Sequence, residues 1–92
     1  MPTRRPRNQA EATLFDLMTS HGWTPSKRGW PDFICYKDNR VLVIEVKPHR
    51  GRRLKREQLR IMQHLAAHGI DCYRWNPDTG FEPILGNTQP KL

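Results

Sequence analysis

The most apolar stretch of the chain is Val41-Leu42-Val43-Ile44, and it runs straight into Glu45-Val46-Lys47. So many β-branched residues in a short run read as a buried strand. Residues two apart in a strand share a face, so Val43, Glu45 and Lys47 project together, with the two charged groups at the strand's far end. Phe33-Ile34-Cys35-Tyr36 reads as a second strand and Lys37-Asp38-Asn39-Arg40 as the turn between the two, which predicts an antiparallel hairpin over 33–46.

Upstream, Leu14, Phe15 and Met18 recur at helical spacing, with Glu11 on the same side. Asn8 opens this helix as N-cap, Asn8-x-x-Glu11 has the form of a capping box, and His21-Gly22 ends it. Trp23-Thr24-Pro25 reads as a short strand or an extended entry. Ser26–Pro31 is a loop in which Gly29 gives freedom and Pro31 fixes φ just before Asp32. A second helix over 54–68 carries Leu54, Gln58, Met62 and Leu65 on one stripe and stops at His68-Gly69. Ile70–Trp75 is a last strand, followed by a turn at Asn76-Pro77-Asp78. Residues 1–7 are expected to form a flexible basic arm, 8–76 the domain, and 77–92 a polar tail with one weak extra element at Phe81–Leu85. The order αβββαβ predicts the α/β class, a mixed β-sheet flanked by helices.

Charge changes the picture. Sixteen Lys and Arg face nine Asp and Glu, for a net charge of +7 and a pI of about 10.1. That balance fits a nucleic-acid binder; an anionic membrane surface or an acidic protein is the competing partner. No long basic helix with a wide apolar face supports the membrane reading. Ninety-two residues allow one domain with a thin stability margin, for which homodimerisation is a common remedy. Cys35 and Cys72 are too few for a disulfide scaffold or a four-ligand zinc site and are expected to be reduced core residues. The N-terminus lacks an apolar leader, which points to the cytoplasm.

An acid and an amine on one face at the end of a core strand, with Asp32 ahead of the neighbouring strand, suit a divalent cation and an anionic substrate. This is the layout of a metal-dependent phosphodiesterase. Together, Glu11 on a first helix, Gly29-Trp30-Pro31-Asp32-Phe33, Glu45-Val46-Lys47, and Leu54 with Gln58 before a helix ending in Gly69 resemble the VRR-NUC family of the PD-(D/E)XK nuclease superfamily. Within it, the chain is most similar to stand-alone, single-domain members of phages. The resemblance spans residues 8–76. It departs after Lys47, where Pro48 stands in place of a glycine or other small residue and the loop is Arg-rich.

The resemblance implies a restriction-endonuclease-like core and a Mg²⁺- or Mn²⁺-dependent nuclease that recognises DNA by structure. It implies a homodimer resolving four-way (Holliday) junctions in the cytoplasm of a bacterial host cell. Larger family members carry the module as a flap-type repair nuclease, so a flap, nick or single-strand nuclease is the alternative substrate reading. A non-catalytic basic DNA-binding module is the alternative of another class.

Each candidate residue has a plain reading beside the functional one. Asp32 is a metal ligand or a turn Asp after Pro31. Glu45 is a second ligand, with the Val46 carbonyl a third, or an edge Glu facing water; an acid ending so apolar a run is costly unless paired or metal-bound. Lys47 orients the attacking water and offsets phosphorane charge, or belongs to the basic run beside it. Glu11 is a helix cap or a further metal-shell group. Gln58 satisfies backbone groups, or holds Lys47, a metal-bound water or a phosphate. Lys27, Arg28, Arg50, Arg52, Arg53, Lys55, Arg56 and Arg60 contact DNA phosphates or form a solvated face. His49 and His64 are incidental, Trp30 packs at a dimer seam or stacks on a base, and Trp23 and Trp75 belong to the core.

Overall fold

The computed structural model describes residues 4–86 and 88–92; Met1–Thr3 of the expected arm fall outside them. The elements run α1 (Gln9–Ser20), β1 (Thr24–Lys27), β2 (Phe33–Lys37), β3 (Arg40–Val46), α2 (Arg56–Ala67), β4 (Asp71–Asn76) and β5 (Gly80–Pro83). The five strands lie in sequence order in one sheet. β1, β2 and β3 pair antiparallel, β3 and β4 parallel, β4 and β5 antiparallel. The sheet is therefore mixed, with α2 as the crossover that parallel pairing requires.

Alternation along the strands sorts the core onto two faces. Leu42, Ile44 and Val46 of β3 join Phe33, Cys35, Tyr73, Trp75 and Phe81 under Ala10, Leu14 and Met18 of α1. Val43 and Cys72 point the other way and pack against Met62 of α2, with Trp30, Ile34, Leu54 and Leu65 around them. Trp23 and Trp75 are core residues, as expected. Trp30 packs half-buried on its own chain's second cluster, and its indole Nε1 has no hydrogen-bond partner among the described residues.

Both helices end in the same way. Gly22 and Gly69 take left-handed φ values of 83° and 89°. Each lets the next residue reach back: Trp23 N–H donates to Met18 O at 3.0 Å, and Ile70 N–H donates to Leu65 O at 3.1 Å. These are the Schellman bonds that satisfy the last helical carbonyls. The chain then turns directly into a strand.

Two segments carry more structure than their patterns announce. The weak element foreseen at 81–85 is β5, an edge strand that buries Phe81 against the ring of Tyr73 at 5.6 Å. In the basic arm, Arg5 reaches Asp16 of α1 through a bidentate pair at 2.9 Å. Both side chains are more than half exposed, so the pair holds the arm weakly.

Candidate active site

The β2–β3 ladder pairs Phe33 with Ile44, so Asp32 and Glu45 come opposite one another one step beyond it. They are locked there reciprocally. Asp32 N–H donates to Glu45 Oε1 at 3.0 Å, and Val46 N–H donates to Asp32 Oδ2 at 3.0 Å. Each carboxylate thus holds the backbone that presents the other. Behind them, Arg28 N–H donates to Asp32 O at 2.7 Å and closes the loop that carries Pro31.

Glu45 is 4% exposed. Burial raises its pKa above the ordinary carboxylate value, and the charge of Asp32 raises it further; the Asp32 N–H bond and Lys47 oppose this without cancelling it. Lys47 Nζ lies 3.3 Å from Glu45 Oε2, and Lys47 N–H is fixed by a bond of 2.8 Å to Trp75 O. The shared face read from the strand pattern therefore brings the acid and the amine into contact.

Glu11 arrives from the opposite face. Its N–H donates to Asn8 Oδ1 at 3.1 Å, so Asn8 does the capping and the Glu11 carboxylate remains available. It pairs with Lys27 Nζ at 2.5 Å. Lys27 ends β1 and also lies 3.8 Å from Asp32 Oδ1 and over the Phe33 ring at 5.7 Å. Burial pulls the Lys27 pKa down, but the Glu11 hydrogen bond and the charges of Glu11, Asp32 and Glu45 hold it above the ordinary value. The five groups form one continuous cluster, Glu11–Lys27–Asp32–Glu45–Lys47, in which the adjacent carboxylates Asp32 and Glu45 are flanked on each side by an ammonium.

The remaining candidates fall elsewhere. Gln58 Oε1 accepts from Lys55 N–H at 3.1 Å, at the start of α2. Arg28, Arg50, Arg52, Arg53, Lys55, Arg56 and Arg60 are all exposed, whereas Lys27 is drawn into the acidic cluster. Cys35 and Cys72 are free and buried.

Among the described residues no three His, Cys, Asp or Glu side chains gather as a ready-made metal cage. The donor set at the strand ends is instead two carboxylates beside the Val46 peptide. Mg²⁺ commonly takes one or two carboxylates and completes its shell with water and phosphate. A buried carboxylate pushed toward protonation by a second carboxylate is also stabilised by any cation that enters. The residues fit such an ion.

The chain is 31% identical over 86 residues to a UPF0102 protein from Synechococcus sp. (strain CC9902), covering 82% of this chain and 71% of that protein. This chain belongs to the UPF0102 family. No family model matches it. Its fold is that of a Holliday junction resolvase, Hjc, from the archaeal hyperthermophile Archaeoglobus fulgidus: TM-score 0.62 at 19% identity, over 88% of this chain and 76% of the other. The UPF0102 chain thus has the restriction-endonuclease-like fold expected from its sequence.

Sequence reasoning overlooked Arg74 in this UPF0102 member. Its guanidinium, only 15% exposed, donates to Glu82 Oε2 at 2.6 Å, Arg52 O at 2.9 Å and Arg50 O at 3.4 Å. Glu82 also accepts from Thr79 Oγ1 and Asn76 Nδ2, while Asp78 Oδ2 accepts from Arg50 N–H. The β4–β5 hairpin therefore pins the backbone of the basic loop and leaves its arginine side chains outside. The signal was present: Asn76-Pro77-Asp78-Thr79-Gly80 is a strong turn sequence, and closing it as a hairpin sets Arg74 opposite Glu82.

Proposed function

We propose that this protein is a divalent-metal-dependent endonuclease that hydrolyses phosphodiester bonds in branched DNA, acting as a homodimer on four-way (Holliday) junctions. The observation that carries the reading is the reciprocal lock between Asp32 and Glu45, with Lys47 at 3.3 Å, at the strand ends of a restriction-endonuclease-like sheet. A pure DNA binder has no use for carboxylates facing phosphate.

In this reading Asp32 and Glu45, with the Val46 carbonyl, hold one Mg²⁺ or Mn²⁺, which supplies positive charge to the scissile phosphate and acidifies nearby water. Lys47 sits beside Glu45, where its ammonium orients the attacking water and offsets charge that develops on the phosphorane. The exposed arginines of residues 50–56, at the loop and the start of α2, contact backbone phosphates on either side, which fixes register without reading sequence. Two copies about a twofold axis set two such sites on opposite strands of a junction. The same reading keeps the finer placement among stand-alone VRR-NUC-like nucleases of phages, working in the bacterial cytoplasm. The resolvase named above supports the substrate class through its fold. No helix among the described residues is long and apolar enough to cross a membrane.

The test is a labelled four-way junction beside matched duplex, flap and single strand, each incubated with the protein in Mg²⁺, Mn²⁺ or EDTA. Sedimentation of the free protein gives its oligomeric state. Paired symmetric nicks confined to the junction and abolished by EDTA are expected. Preferential trimming of flaps or single strands would move the function to repair. Binding to every DNA without cutting would leave a DNA-binding module.

A further inference from the structure

Lys27 has the composition of a phosphate-gripping residue and the position of something else. It ends β1 directly opposite Phe33, and its ammonium lies over that ring, so it is held between α1 and the strand ends. There it meets Glu11 at 2.5 Å and stands 3.8 Å from Asp32. The Glu11 side chain is 15% exposed, and its helix N-terminus is already capped by Asn8. The ion pair with Lys27 therefore accounts for an acid that capping does not require.

We propose that Lys27 is a positioning residue that stands in for a second metal ion: by engaging Glu11 it keeps that carboxylate out of the ligand set and leaves a site for a single divalent cation at Asp32 and Glu45. The inference rests on the metal-site reading given above. Charge balance favours it. Three carboxylates against two ammoniums leave the cluster with one net negative charge. One divalent ion turns this into one net positive charge, the complement of a single phosphodiester. A second ion would add two further positive charges beside an ammonium already in place. Glu11 thus acts through Lys27, and Lys27 acts on the ligands by fixing which acids the metal meets. An arginine preserves this arrangement, since the charge persists; a glutamine of similar length does not.

Mn²⁺ binding to the full-length protein without DNA tests this, with free Mn²⁺ followed by its electron paramagnetic resonance signal and heats by calorimetry. Wild type is expected to bind one Mn²⁺ per chain. Lys27→Gln is expected to bind a second, at least about tenfold tighter than any second site in wild type, the scale of one pKa unit of charge interaction. Lys27→Arg should keep one, and Lys27→Gln combined with Glu11→Gln should return to one. Two comparable sites in wild type would overturn the proposal while leaving the metal-site reading intact. So would a folded Lys27→Gln that still binds only one. No Mn²⁺ bound by wild type would overturn both. Where Lys27→Gln fails to fold, Lys27→Met, which keeps the aliphatic stem beside the Phe33 ring, carries the same comparison.

Discussion

Replacing Arg74 by Met keeps the aliphatic stem and removes the fork that joins three parts of the molecule. The change deletes one charge-assisted bond of 2.6 Å to Glu82, one bond of 2.9 Å to Arg52 O and a long one of 3.4 Å to Arg50 O. A hydrogen bond to a charged group contributes about 1.5–3 kcal/mol. Glu82 keeps Thr79 and Asn76 as donors, and the two freed carbonyls belong to exposed residues that water reaches. These compensations bring the expected loss to about 2 kcal/mol, or roughly 8–16 °C in Tm for a domain of this size. Because the bonds pin the basic loop, affinity for DNA at low salt should weaken as well, about threefold to tenfold by the cost of ordering a loosened loop on binding. Urea denaturation and DNA titration over a series of salt concentrations measure both. Arg74→Lys should recover part of the stability through its point charge but not the fork. A loss of stability below about 0.5 kcal/mol, the range of an ordinary surface substitution, together with unchanged DNA affinity would refute the role given to this residue.

Other consequences are equally open to measurement. In EDTA, the raised pKa of Glu45 means that its protonated form is favoured by the fold; its stabilising contribution is complete below the unfolded value of about 4.5 and is lost as pH rises through the raised folded value. Glu45→Gln should therefore gain stability relative to wild type as pH rises above about 4.5, read as the difference between paired urea titrations; a pH-independent difference would contradict the assigned shift. Burial pushes the Cys35 thiol up to about 12 and the Cys72 thiol up to about 11. Neither should react with iodoacetamide at pH 8 until denaturant is added, as mass spectrometry would record. Leu42 is fully buried beneath α1, so Leu42→Ala should cost about 2–5 kcal/mol by chemical denaturation without altering metal binding.

The parts of this protein that a reader of the sequence could see are those encoded by contrast between neighbours. The run from Val41 to Lys47 is apolar enough to mark a core strand, and period two then places Glu45 beside Lys47. Gly22 and Gly69 mark where the helices stop. What reads only faintly or not at all depends on partners far apart in the chain or on elements with little pattern, such as the possible strand at 23–25 and the weak element at 81–85. β1 is Thr-Pro-Ser-Lys and buries only Pro25 fully; it forms because β2 offers it an edge. β5 has four residues and one buried side chain, so without it Arg74 had no visible partner. Lys27 was read with the other basic residues because Glu11 lies in a different element. Glu11 and Gln58 show the converse limit. Both sit at position N3 of a helix behind the N-cap, where the sequence reads alike, yet the structure commits the Gln58 side chain to the cap and turns that of Glu11 toward the site.

In the proposed function Asp32, Glu45 and Lys47 carry out phosphodiester hydrolysis. The most direct measurement is single-turnover cleavage of a labelled four-way junction in Mg²⁺ by wild type, Asp32→Asn, Glu45→Gln and Lys47→Met, with junction binding measured in parallel in Ca²⁺. Wild type should cut. Each variant should slow the step by at least about a hundredfold, the scale of removing one preorganised group from a charge-stabilising site, while binding the junction within a few-fold of wild type. Cleavage by the variants at the wild-type rate, or an intact junction after incubation with wild type, would contradict the account.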